Sequence, residues 1–215
     1  MPHPTWPFFN LAIRTPMVEL RPVDEALGVQ LALLADRGIH PRGEMPFCVP
    51  WTDIDPPERY WASMQFYWRC WGSFTAQDWH LPFATLVDGE VVGMQEVAAT
   101  GFVDLGVIRT GSWIGQEFQG RGIGREQRAA VLQFAFDSLG ARRAESAANH
   151  DNPASLGVSR SLGYRENGDS WSKTDGHPPV RQVDLVLDRE AWEPQRRDDI
   201  VVTGAAATLP LFGLA

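Results

Sequence analysis

The run Thr110-Gly111-Ser112-Trp113-Ile114-Gly115-Gln116-Glu117-Phe118-Gln119-Gly120-Arg121-Gly122-Ile123-Gly124, with an apolar helical pattern directly after it, holds the residues best suited to chemistry. Strand, glycine-rich turn and helix start, in that order, make a seat for a phosphate. Glycines turn tightly and let a ligand approach the backbone. The free N–H groups of the helix's first turn then face the anion along the positive end of the dipole. Arg121, Arg125 and Arg128 lie close enough in sequence to pair with phosphate oxygens.

What the motif lacks narrows the ligand. A P-loop places Lys-Ser or Lys-Thr after its last glycine, whereas the frame that starts at Gly115 ends in Arg121-Gly122. A dinucleotide fingerprint needs Gly-x-Gly-x-x-Gly. Here the third glycine is replaced by Arg125 or Gln127, depending on frame, although Glu145 stands about 20 residues on, where that fingerprint wants an acid. What remains is Gln119-x-x-Gly122-x-Gly124, or a plain strand-to-helix turn.

A second block strengthens the first reading. Asn152-Pro153-Ala154-Ser155, followed by Gly163-Tyr164, stands one helix and one strand downstream. Together the two blocks resemble the coenzyme A pyrophosphate loop and the Asn-x-x-Ala/Ser…Gly-Phe/Tyr segment of the GNAT acyltransferases. Gly111-Ser112-Trp113-Ile114-Gly115 and Asp151-Asn152-Pro153-Ala154-Ser155 are similar to the branch that acetylates ribosomal-protein N-termini. Four further segments resemble actinobacterial GNATs described as succinyl-CoA transferases. These are Trp6-Pro7-Phe8-Phe9-Asn10-Leu11, Met45-Pro46-Phe47 with Val49-Pro50-Trp51-Thr52, Arg128-Ala129-Ala130-Val131-Leu132, and Pro210-Leu211-Phe212-Gly213. The resemblance covers nearly the whole chain. It implies an α/β (α+β) GNAT fold, with a mixed, mostly antiparallel central sheet flanked by helices and splayed central strands that form the CoA cleft. It also implies acyl-CoA, as acetyl-CoA or succinyl-CoA, as co-substrate, with no permanently bound cofactor and no metal. The residues it assigns to the cofactor are Trp113, Ile114, Gln119, Gly120, Arg121, Gly122, Ile123, Gly124, Arg125, Asn152 and Ser155.

Transfer of an acyl group from a thioester to an amine, by direct attack in a ternary complex, needs a deprotonated amine, a stabilised oxyanion and a proton for the departing thiolate. An α-amino group, with a pKa of about 7.7–8.0, asks for only a modest base, and a lysine amine near about 10.4 asks for more. The resemblance gives the oxyanion to backbone N–H groups at Trp113-Ile114. Many family members carry a tyrosine as general acid after the Asn motif, and the matching position here is Ser159. In the N-terminal-acetylating branch a serine matching Ser155 takes that task, while Ser155 also reads as a first-turn residue of a capped helix. For the base, Glu96 is preferred among Glu96, Asp78, His80, His150 and Asp151. If the acyl group is succinyl, His40, Arg42 and Arg109 are the groups expected to hold its carboxylate. The alternative reading is a CoA-binding sensor or interaction module with little catalysis, which the missing tyrosine allows.

The elements that must position these residues fit one domain over 1–215, with an N-terminal arm at 1–14 and a C-terminal extension at 190–215. Alternation marks a strand at 17–21, and Asp24 caps a helix running to Gly38. Five prolines make 39–57 a loop, and a helix over about 57–70 carries Trp61, Trp68 and Trp71, read as packing residues. Asp88-Gly89 joins strands 81–87 and 91–97 as a hairpin. The helix from Ile123 to about Leu139 reads as buried on more than one side and ends at Gly140. A strand at 142–148, a short helix at 152–162 capped by Asn152, and strands near 169–174 and 180–187 complete the pattern.

The net charge of −8 argues against nucleic acid as the partner, since binding it needs a basic stripe, and leaves an anionic cofactor to local arginines. Cys48 and Cys70 form neither a disulfide framework nor a metal site. The opening Met-Pro-His-Pro has no basic leader, and no run approaches a membrane span. A cytoplasmic protein is expected, acting on a small-molecule or peptide amine without nucleic acid or membrane. The apolar termini point to a homodimer, the commonest soluble oligomer.

Overall fold

The computed structural model describes residues 3–41 and 43–215. A helical turn at Pro7–Asn10 leads into β1 (Ala12–Arg14) and β2 (Glu19–Pro22), followed by helices α1 (Glu25–Asp36) and α2 (Glu58–Gly72). Next come β3 (Asp78–Val87), β4 (Glu90–Thr100), the single-turn α3 (Phe102–Leu105), β5 (Val107–Ile114) and α4 (Ile123–Gln133). Then follow β6 (Arg143–Asn149), α5 (Pro153–Ser161), β7 (Arg165–Ser172), β8 (Val180–Asp188), α6 (Arg189–Trp192) and β9 (Val201–Thr203), before a last helical turn at Ala206–Phe212.

Local chemistry explains most of these boundaries. Asp24 accepts the Leu27 N–H at 2.9 Å and so starts α1, whose Leu27, Leu31 and Leu34 fall on one buried face. Asp88 and Gly89 both have positive φ, at 50° and 83°, the geometry that a two-residue hairpin requires. α4 is buried on more than one side, as its pattern predicts, and its last turn widens into a π-helix at Phe134–Ser138. Gly140, at φ 74°, then lets the chain turn away.

The nine strands form one sheet in the order β7-β8-β6-β5-β4-β3-β2-β1-β9. Every neighbouring pair is antiparallel except β5 with β6. One apolar core, around α4, packs on one face of the sheet, and a second, around α1, packs on the other. Among the described residues, no helix is long and apolar enough to cross a membrane.

The parallel pair positions the site. β5 and β6 pair only from Val107–Arg109 to Arg143–Glu145. Past that point β5 stays bonded to β4 as far as Ile114, and β6 to β8 as far as Asn149. The two strands therefore part within the sheet and leave a V-shaped gap.

The termini are more regular than the sequence suggests. β1 from the arm and β9 from the extension pair with each other at the sheet edge. Phe8 and Phe212 are fully buried, edge to face with ring centroids 5.3 Å apart. In α2 the packing role falls to Trp71, whose indole N–H donates to the Val23 carbonyl at 2.7 Å. Trp61 and Trp68 instead lie on the exposed face of that helix, because α2 buries only a narrow stripe at Tyr67 and Cys70.

Candidate active site

The gap between β5 and β6 opens into a cleft of about 1460 Å³. This exceeds the roughly 300–1,000 Å³ of a single small-molecule pocket and suits a large ligand with a second reactant. Its walls include Arg109 to Ile114 of β5 and Glu145 to Asn149 of β6.

At the C-terminal end of β5 the glycine turn borders this cleft. Gly120 and Gly122 have φ of 75° and 81°, a conformation that side chains resist. The Gly122 carbonyl caps α4 by accepting from Arg125 and Glu126, each at 3.1 Å. Among the described residues no backbone carbonyl accepts from the N–H groups of Gly120, Arg121, Gly122, Ile123 or Gly124. That leaves a row of free donors at a helix N-terminus, where an anion is favoured.

The side chains of this segment mostly hold its shape. Gln119 donates to the carbonyls of Ile39 at 2.7 Å and Ile114 at 2.9 Å, tying the turn to the loop after α1 and to β5. Arg121 donates to the Glu117 carbonyl at 2.7 Å and lies over the Phe118 ring. Arg125 is exposed on the first turn of α4. Trp113 and Ile114 are buried, and the Trp113 ring packs against Trp51 at 5.9 Å.

Across the cleft, α5 starts as its sequence predicts. The Asn152 side chain accepts the Ser155 N–H at 3.0 Å, and Pro153 occupies the first position. The bond uses the backbone of Ser155, so its hydroxyl is not spent on the cap, and the residue lines the cleft. Ser159 is buried and donates to the Ser155 carbonyl at 3.3 Å.

Glu96 lies one strand back from the cleft wall. It pairs in register with Gly111 of β5, and a Cβ on Gly111 would stand 3.6 Å from its Oε2. Its Oε1 is 2.8 Å from Nδ1 of His80, and that hydrogen bond holds the imidazole pKa above its ordinary value, against partial desolvation. Arg109 lines the cleft and donates to Thr100 at 3.2 Å, and the Thr100 hydroxyl donates to Asp78 at 2.9 Å. His40 also lines the cleft, with Nε2 2.8 Å from the Thr52 hydroxyl. His150 and Asp151 are exposed beside α5, and Arg42 lies outside the described residues. Burial pushes the Cys70 thiol up to about 12, which leaves it inert at neutral pH.

Sequence reasoning grouped Arg128 with the phosphate loop. The structure instead buries it beneath the gap, where it donates to Ser112 of β5 at 3.0 Å and Ser146 of β6 at 3.3 Å. One signal was available: a strong cation directly before the apolar run Ala129-Ala130-Val131-Leu132. Asp184 of β8 and Glu145 of β6 also line the cleft. No spacing motif marked Asp184, because it arrives through sheet pairing. Among the described residues, no cluster of His, Cys, Asp and Glu could hold a metal ion.

Residues 18–165 match the model of the acetyltransferase (GNAT) domain family. Among solved structures, the chain is similar to Mycobacterium smegmatis RimJ in complex with CoA-disulfide, at 22% identity and a TM-score of 0.68, covering 97% of this chain and 96% of that one. It is also similar to a ribosomal-protein-S5-alanine acetyltransferase from Vibrio fischeri, at 14% identity and a TM-score of 0.63, over 85% and 99% of the two chains. A GCN5-related N-acetyltransferase from Brucella melitensis matches at 21% identity and a TM-score of 0.64, over 84% and 80%. At such identities the likeness to these structures is one of fold.

Proposed function

The chain belongs to the GNAT acetyltransferase family, and from that premise we propose that it moves an acetyl or succinyl group from a coenzyme A thioester to a primary amine by direct attack in a ternary complex. One observation carries the reading: the gap between β5 and β6 ends on a glycine turn whose N–H groups have no backbone acceptor among the described residues.

Each residue then has a task. The N–H groups of Gly120 to Gly124, with Arg125 beside them, hold the pyrophosphate, while Gln119 and Arg121 keep the turn in shape. The free edge of β5 receives the pantetheine arm as a neighbouring strand would. Backbone N–H groups at Trp113-Ile114 face the oxyanion. Such preorganised donors are worth about 2.7–4 kcal/mol each in a water-excluded site. Asn152 fixes the start of α5, so that the Ser155 hydroxyl can give its proton to the departing sulfur. A thiolate of parent pKa near about 8.5 needs little more. Glu96 takes the proton of the amine. Gly111 supports this role, because its missing side chain leaves the carboxylate a path to the cleft.

The acceptor in this reading is a peptide N-terminus or a small amine. The similar ribosomal-protein-S5-alanine acetyltransferase from Vibrio fischeri favours the first, and the acidic net charge of −8 suits either. Succinyl-CoA is the preferred donor, acetyl-CoA the second. The protein acts in the cytoplasm as a homodimer, with no permanently bound cofactor. A second reading, a CoA-binding sensor, is favoured by one observation: the buried Ser159 hydroxyl is turned onto the Ser155 carbonyl and replaces the usual acid. Release of free thiol from acetyl- and succinyl-CoA, measured against a panel of peptides and small amines, tests the two. Amine-dependent release above the buffer rate supports transfer, and its absence with both donors leaves the sensor.

A further inference from the structure

Arg128 carries a buried charge for which the described residues supply no ion-pair partner. The residue is 4% exposed, yet its guanidinium meets only neutral acceptors. These are Gln95 Oε1 at 3.4 Å, Ser146 Oγ at 3.3 Å and Ser112 Oγ at 3.0 Å. No ion pair joins it to a carboxylate among the described residues. Its nearest acid in sequence, Glu126, is held by Arg197 at 2.7 Å. Burying an unpaired charge is among the costlier things a fold can do. Arginine also has more N–H donors than these contacts use.

Its position tells what would repay that cost. Ser146 is the first residue of β6 past the last β5–β6 pair, Arg109 with Glu145, and Ser112 stands three residues past it on β5. Arg128 therefore spans the apex of the gap from the α4 side and lines the cleft there. The phosphate-binding turn lies at the far end of β5, so the apex belongs to the acyl end of the ligand and not to its phosphates. The Ser112 hydroxyl can turn to donate as well, and Ser146 can do so by giving up its long 3.4 Å bond to the Thr110 carbonyl. Planar, paired donors of this kind suit a carboxylate.

We propose that Arg128, with Ser112 and Ser146, binds the terminal carboxylate of a short dicarboxylic acyl group and so selects an acidic acyl-CoA over acetyl-CoA. This rests on the CoA-dependent reading above. It also moves the carboxylate-holding role from His40 and Arg109 to a residue that reaches the cleft from α4.

Titration calorimetry of the full chain with succinyl-CoA, acetyl-CoA and CoA tests it, alongside Arg128→Gln and Arg128→Leu. The wild type should bind succinyl-CoA at least tenfold more tightly than acetyl-CoA. Both variants should lose that preference and keep acetyl-CoA affinity within about twofold. Their melting temperature without ligand should not fall, since a buried charge without a partner is gone. A wild type that binds CoA but shows no preference overturns the proposal. So does a preference that survives in Arg128→Gln, or a variant that melts earlier and loses every ligand alike, as a structural brace would. Equal loss of turnover with both donors at unchanged affinities would assign the cation to the leaving thiolate and also overturn it. If no CoA species binds the wild type, the CoA-dependent reading falls first, and this proposal with it.

Discussion

A Cβ placed on Gly93 would lie 2.5 Å from the carbonyl oxygen of Trp113. No real Cβ tolerates that, and the obstacle is backbone, so β4 and β5 can run this close only with glycine at 93. The closeness matters because the other edge of β5 is the wall of the cleft. Gly93→Ala should push β5 toward the gap, costing about 1–3 kcal/mol, as overpacking does, and weakening CoA binding. Denaturant melts and calorimetry on the same variant check both. An unchanged melt would show that β5 yields freely.

Gly122 is constrained differently. Its φ of 81° resists a side chain, yet a Cβ there meets nothing nearer than the Met17 methyl at 4.0 Å. Gly122→Val should therefore leave the core intact while distorting the turn, at about 1–3 kcal/mol of backbone strain. A tenfold or larger rise in the CoA dissociation constant, with an unchanged circular dichroism spectrum, is the expected result. Unchanged affinity would remove the turn from the phosphate site.

Ser155 and Asn152 can be separated because the cap uses the Ser155 N–H and not its hydroxyl. Ser155→Ala should lower kcat with little change in KM, the pattern of an interaction made in the transition state, and should leave stability alone. Asn152→Ala should do the reverse in the melt, costing about 1 kcal/mol for the lost cap. A Ser155→Ala enzyme with wild-type turnover, under conditions where chemistry limits the rate, would confine Ser155 to its place in the helix.

Those features were legible in the sequence because each is made within a few residues. The Asn152-Pro153 cap, the Asp88-Gly89 hairpin and the glycine turn all declare themselves through local backbone needs. The rest depends on pairing across distance. β1 and β9 are three-residue strands from opposite ends of the chain, too short to show alternation. His80 and Glu96 share a face only because the β3–β4 register slips between Thr85 and Leu86. Without that slip they would point to opposite sides of the sheet, and no pattern in either strand announces it. Arg128 was visible as a charge, but its neighbours Ser112 and Ser146 come from two other strands.

The His80–Glu96 pair makes a pH-dependent prediction. The hydrogen bond to Glu96 raises the imidazole pKa above 6.5. A raised histidine binds its proton more tightly in the folded state, so its contribution to stability is fully present below the ordinary value. It is lost as pH rises through the raised one. Glu96→Gln should return the His80 midpoint toward 6.5 in a proton NMR titration. If Glu96 is the base, the same change should also cut kcat/KM by about 10²–10⁴. A shifted midpoint with undiminished kcat/KM would leave the pair structural and move the base to Glu145 or Asp184 on the cleft wall.

The two termini stand or fall together. Phe212 packs against Phe8, Phe74, Trp79 and Phe134, with ring centroids between 4.9 and 6.4 Å. Gln133 of α4 donates to the carbonyls of Arg197 and Ile200 and accepts the Arg197 N–H, while Glu126 holds the Arg197 side chain. The extension is thus bound to the helix that starts at the glycine turn. Phe212→Ala should cost about 3–5 kcal/mol, as large aromatic truncations in a closed core do. A chain cut after Thr203 should lose at least as much, and its residues 3–14 should lose hydrogen-exchange protection, since Phe8 is left without its partner. Light scattering on both chains reports whether the termini also carry the expected dimer. Protection of the arm that survives the cut would show that β1 holds through β2 alone, and the extension would then be an accessory to the core.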